Sequence, residues 1–161
     1  MNTTNKTNWL SLLFFLLLPL AAGGLSTLLS MPCSPSGLYQ TLIRPPLSPP
    51  AFLFPIVWTI LYLLMGFSSY LIAQSSSSLK SDALFNYVVQ LFVNFFWPIL
   101  FFRFQAYFAA FTWLVFLWIL VYHLIRQFYQ ISKPAAWLLV PYLTWITFAG
   151  YLNFSIYLLN Q

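Results

Sequence analysis

Scarcity of charge restricts this chain more than any other feature. Its charged side chains are Lys6, Arg44, Lys80, Asp82, Arg103, Arg126 and Lys133, and long apolar runs lie between them. A water-soluble domain carries about 25% charged residues. Here the share is 4%, against 61% hydrophobic residues. The bilayer is therefore the expected medium, and lipid the expected partner. A spanning helix needs about 20 predominantly apolar residues. The runs near 9–30, 50–73, 82–102, 107–128 and 134–159 qualify, which gives an all-α integral membrane bundle of five helices forming one domain over 1–161.

Local signals place the ends of these spans. Lys6 ahead of the first run, with Ala21-Ala22-Gly23-Gly24 near its end, also has the pattern of a cleaved signal peptide, but the apolar run continues past the small cluster and favours a span. Residues 31–49 hold five prolines and Gly37. That is too many helix breakers for a crossing and too apolar for a floppy linker, so the segment is expected to cover the helix ends as an ordered cap. Pro49 and Pro50 suit a helix start. Ser75 to Ser78 form a short turn, Ser81 or Asp82 offers an N-cap, and Arg103 with Gln105 marks a tight turn. Ser132 with Pro134 pairs a cap with a first-turn proline, and Pro55, Pro98 and Pro141 should kink their spans.

An odd number of spans separates the termini. Lys6, Lys80, Arg126 and Lys133 share the N-terminal side, against Arg44 and Arg103 opposite, which favours a cytoplasmic N-terminus and an external proline loop. The six basic residues are dispersed, so no stripe exists to track a phosphate backbone and nucleic acid is not an expected partner. Acid–base catalysis is poorly supplied: Asp82 reads as a helix cap and His123 as an interfacial residue. Cys33, His123 and Asp82 do not make a metal set, and no cofactor is required. Sequons at Asn2, Asn5 and Asn153 read as chance, two at the extreme terminus and one in an apolar run.

Aromatic surface remains, at 22% of residues. Trp9, Trp137 and Trp118 fit the interfacial belt. Trp58, Trp97 and Trp145 lie deeper. The stretch Arg44 to Gly66 runs a stiff proline loop into a helix with Trp58, Tyr62 and Gly66 at four-residue steps, hence on one face, and this is where a ligand is expected. Asn94, Trp97 and Phe101 share a face of the third span, with Asn94 either interhelical glue or a polar contact for a guest. Trp145, Ala149 and Leu152 share one on the fifth, with Asn153 close by. A second stripe, Asn86, Gln90 and Asn94, is a candidate polar path for passive small-molecule transport.

Three blocks carry a family resemblance. The first is Arg44-Pro45 with Pro49-Pro50, then Val57-Trp58, Leu61-Tyr62, Met65-Gly66 and Ser69-Tyr70-Leu71. The second is Asn94, Trp97-Pro98 and Phe101-Phe102. The third is Ala136, Leu138-Leu139, Pro141-Tyr142-Leu143, Trp145 and Leu152-Asn153. Together they resemble the tryptophan-rich sensory protein/translocator protein (TspO/MBR) family over about residues 38–160. The resemblance implies a five-helix bundle whose first loop lids a pocket for porphyrins, such as protoporphyrin IX or haem-like molecules, and other flat apolar ligands. It implies Trp58 and Trp145 as pocket tryptophans, Trp97 and Asn94 as pocket wall, and Arg44, Pro45 and Pro50 as lid, with Arg44 placed to meet a propionate. It further implies a sensor or carrier, with light- and oxygen-dependent porphyrin breakdown through Trp58 and Trp145 as the alternative, and a homodimer. The bulky third span (Phe92, Val93, Phe95, Phe96) lacks the small residues that favour close helix pairs. Two departures stand out. Leu38 and Leu47 replace lid tryptophans, and no Lys or Arg follows Lys133, so the sterol-recognition pattern of animal members is absent; this points to a bacterial plasma membrane.

Overall fold

The computed structural model describes residues 8–30 and 41–160. Among them are five helices long and apolar enough to cross a membrane: α1 (Trp9–Ser30), α2 (Leu53–Ala73), α3 (Lys80–Pro98, continued by a wider π-type turn over Ile99–Arg103), α4 (Tyr107–Ile131) and α5 (Lys133–Leu159). The all-α membrane bundle is as expected. At 1.5 Å per residue, the 22 residues of α1 extend about 33 Å, enough for the hydrocarbon core.

Several ends differ from the sequence reading, each for a local reason. Pro49 and Pro50 lie before a turn, and α2 begins only at Leu53, so Pro55 falls in its first turn, where its missing N–H has no helical acceptor to lose and no kink follows. The N-cap of α3 is Leu79 rather than Ser81 or Asp82; Asp82 sits in the first turn, where a carboxylate favours the positive end of the helix dipole. Lys80 Nζ reaches back to donate to the carbonyls of Ala73 (3.3 Å) and Ser75 (3.1 Å), closing the end of α2. Ser132 occupies the N-cap position of α5 but makes no side-chain capping bond, and Pro134 falls in the first turn. Pro98 ends the regular part of α3: a proline ring crowds the carbonyl four residues back, and the chain widens, with the Phe104 N–H donating to the Ile99 carbonyl at 3.1 Å.

The helices are joined by burial and by polar ties that lipid would otherwise leave unpaired. Met65, Ile72, Leu117, Val121, Leu124, Leu139 and Tyr142 form the heart of the core. Ser68 Oγ on α2 donates to the Ala135 carbonyl of α5 at 2.7 Å, and Trp113 Nε1 on α4 to the Val93 carbonyl of α3 at 2.7 Å. Peripheral α1 buries a stripe of small residues, Pro19, Gly23, Ser26 and Ser30, and turns Leu10, Leu13, Leu17, Leu25, Leu28 and Leu29 outward. Its backbone comes close to α2 at Gly66, where an added Cβ would stand 2.5 Å from the Phe15 carbonyl oxygen.

The described part of the first loop is fastened to α5. The Ile43 N–H donates to Asn160 Oδ1 (3.0 Å), Asn160 Nδ2 donates to the Ile43 carbonyl (2.9 Å), and Tyr151 Oη donates to the Pro46 carbonyl (3.1 Å). Leu47 takes a left-handed φ of 70° in a turn closed by the Ser48 N–H on the Pro45 carbonyl. Lys6, Cys33, Leu38, the sequons at Asn2 and Asn5, and residues 31–40 of the expected lid lie outside the described residues.

Candidate functional site

Between the lid-side halves of α1, α2 and α3 lies a cavity of about 810 Å³. Sites for drug-sized ligands run about 300–1,000 Å³. α2 supplies Phe54, Pro55, Trp58, Thr59 and Tyr62; the end of α3 supplies Trp97, Pro98 and Phe102; α1 supplies Leu20, Gly23, Gly24 and Thr27. The four-residue step brings Trp58 over Tyr62, with ring centroids 5.4 Å apart and planes 32° from parallel. Trp97 continues the series at 6.5 Å and 32° from Trp58, and Phe101 lies 5.5 Å beyond it at 29°. The edge of Tyr142 meets Trp58 from α5 at 6.1 Å. The wall is thus a terrace of similarly tilted rings, suited to a flat π-face.

Polar ties hold the terrace. Trp97 Nε1 donates to Asn153 Oδ1 at 3.1 Å, and Asn153 Nδ2 donates to the Tyr107 carbonyl at 2.8 Å, so one buried amide links α3, α4 and α5. Asn94 Nδ2 donates to Tyr62 Oη at 3.4 Å, a long bond. The hydroxyls of Thr27, Ser30 and Thr59 donate to the carbonyls of Gly23, Ser26 and Pro55, each four residues back on its own helix. Asn153→Ala should leave the buried Trp97 indole N–H without its acceptor and remove the side-chain link to the Tyr107 carbonyl. We expect a stability loss of about 1–3 kcal/mol in detergent with an altered tryptophan emission maximum; unchanged melting would show that the amide carries no strain-bearing tie.

Comparison with known proteins agrees with this architecture. A sequence profile of the TspO/MBR family matches residues 15–159. The chain belongs to the TspO/MBR family. It is 40% identical over 127 residues to the tryptophan-rich protein TspO of Chlorobaculum tepidum, covering 78% of this chain and 80% of the relative. It is 35% identical over 141 residues to the tryptophan-rich sensory protein of Cereibacter sphaeroides (88% of each) and 35% identical over 126 residues to the translocator protein of Bos taurus (76% and 75%).

Within this TspO/MBR chain the expected site residues separate into groups. Trp58, Tyr62 and Trp97 line the cavity, and Asn94 stands behind Tyr62. Phe101, Ala149 and Leu152 border instead a second void of about 30 Å³, shared with Phe54, Trp97 and Asn153. Trp145 does not border the large cavity: Phe54 stands before it, with ring centroids 6.0 Å apart, and the Trp145 Nε1 is buried without a partner. Arg44, Pro45 and Pro50 lie in the loop and do not line the cavity; Ala51 and Phe52, just after them, do. The stripe Asn86, Gln90 and Asn94 faces three neighbours: Asn86 Nδ2 donates to Gln127 on α4 at 2.9 Å, Gln90 Oε1 accepts from Tyr142 on α5 at 3.1 Å, and Asn94 reaches α2. Trp118 is not interfacial. It lies midway along α4, with Nε1 donating to Thr147 Oγ1 at 2.9 Å. Asn153 is only 1% exposed, which closes its sequon to modification.

The α1 wall was missed by spacing arguments because its lining residues are small: the Ala-Gly cluster, which resembles a cleavage site, is where α1 admits the Tyr62 ring against Gly23. Arg103 was also missed. It follows lining Phe102 and donates from Nη1 to the Leu29 carbonyl at 3.0 Å, beside lining Ser30. Among the described residues, no group of three or more His, Cys, Asp and Glu is placed to hold a metal.

Proposed function

We propose that this TspO/MBR protein binds porphyrins and similar flat apolar ligands within the membrane, as a sensor or carrier. The observation that carries the reading is the terrace of Trp58, Tyr62 and Trp97 facing an 810 Å³ cavity. Stacked aromatic pairs contribute about 0.5–1.5 kcal/mol beyond the area they bury, and a macrocycle meets several rings at once. Arg103, on the rim, is the cation placed for a carboxylate substituent; its planar fork suits bidentate pairing. The same reading puts the protein in a bacterial plasma membrane with a cytoplasmic N-terminus, supported by Lys80, Arg126 and Lys133 on the side opposite the loop.

Titration of the purified protein in detergent with protoporphyrin IX tests the proposal. Saturable quenching of tryptophan emission is expected, because two indoles, Trp58 and Trp97, line the cavity. Emission that stays constant at saturating porphyrin would overturn it.

A further inference from the structure

We infer that guests reach the cavity sideways, from the hydrocarbon of the bilayer, through a slot between the lid-side halves of α1 and α2. The inference rests on the cavity being a site for membrane-dissolved flat ligands, although the slot is visible whatever passes through it.

Among the described residues, ties fasten the other approaches. α1 is tied to α3 twice: Ser26 Oγ donates to the Phe95 carbonyl at 2.6 Å, and Arg103 Nη1 to the Leu29 carbonyl at 3.0 Å. The described part of the loop is tied to α5 by the paired bonds between Ile43 and Asn160 and by Tyr151 on Pro46. α3 and α5 are joined across the far wall by Trp97 and Asn153. Among the described residues, no side-chain hydrogen bond joins the lid-side half of α1 to α2.

The slot has the surface expected of a passage into lipid. Gly24 and Thr27 on α1 and Pro55 and Thr59 on α2 line the cavity and are at the same time exposed. A Cβ added to Gly24 would meet nothing within 4 Å, so the space beside it is open. Both threonine hydroxyls are committed to carbonyls of their own helix, which leaves no unpaired hydroxyl donor there for lipid to desolvate. Below, Tyr62 seated against Gly23 closes the slot, and the helices meet tightly again at Gly66. Thr59 lies about 9 Å along α2 from its first residue, below the rim and at the depth of acyl chains.

Two measurements on proteoliposomes test the slot, using Gly24→Phe to fill it and Thr59→Leu as a second filling variant. In vesicles of phosphatidylcholine with brominated acyl chains and no porphyrin, the emission lost on Trp58→Phe identifies the Trp58 component. Bromine should quench that component in the unmodified protein and at least threefold less in the filled variants. With protoporphyrin IX preloaded in plain vesicles, stopped-flow quenching should show association and dissociation both slowed about tenfold by filling. A barrier on the route slows arrival and departure by a common factor, whereas lost contacts speed departure alone. Unquenched Trp58, or association rates unaffected by both filling variants, would overturn the slot. So would a tenfold slowing produced instead by a disulfide between Ile43→Cys and Asn160→Cys, since that route runs under the loop. Bromine quenching of Trp58 with no porphyrin bound to any variant would uphold the slot and sink the ligand reading.

Discussion

Gly66→Leu is expected to lower the melting temperature of the bundle in detergent by about 6–12 °C or more. The new Cβ would stand 2.5 Å from the Phe15 carbonyl oxygen and 2.8 Å from the Leu16 Cα, and both are backbone atoms that no rotamer change can move. Overfilling an ordinary core costs about 1–3 kcal/mol, and a chain of this size loses about 2–4 °C per kcal/mol. Here a whole helix must shift, so the upper end applies. Membrane helices have little hydrophobic force between them, and α1 depends on close backbone approach to stay in place. Gly24→Leu is the matched control, since its Cβ would meet nothing within 4 Å. Equal melting of the two variants would refute the account of how α1 is held.

Trp58→Ala should weaken protoporphyrin binding about thirtyfold, while Trp145→Phe changes it less than threefold. Trp58 borders the cavity and touches Tyr62, Trp97 and Tyr142, so its loss removes a stacking face and loosens two others. Thirtyfold corresponds to about 2 kcal/mol, in keeping with one aromatic contact plus the area around it. Trp145 lies behind Phe54, and exchanging one ring for another there should be felt in stability before affinity. Quenching titrations on the two variants decide the matter. Equal losses at both positions would place Trp145 in the site and require Phe54 to swing aside.

Much of this was legible in the residues. Seven charges separate runs long enough to cross a bilayer, and few alternatives satisfy the backbone in lipid. Four-residue spacing placed Trp58 and Tyr62 on one face because an α-helix has no other way to hold them. Facing partners were harder to read. Trp58 and Trp145 each sit on a helix face near small or polar neighbours, and nothing in their spacing records that Phe54, and not Trp145, borders the cavity. Trp118 resembles a belt tryptophan until Thr147, on another helix, supplies its acceptor. The contribution of α1 was invisible for a different reason. Periodicity arguments look for large or polar side chains, whereas Gly23, Gly24 and Thr27 make room by being small.

The committed hydroxyls of Thr27, Ser30 and Thr59 bear on selectivity. Together with the Trp97 indole N–H, already given to Asn153, they leave the chamber few directional handles to offer a visitor. Away from Arg103 at the rim, discrimination would then fall to outline and thickness rather than to a pattern of donors and acceptors. If the chamber holds flat guests as proposed, chemically unrelated molecules of similar flatness should compete for it on nearly equal footing.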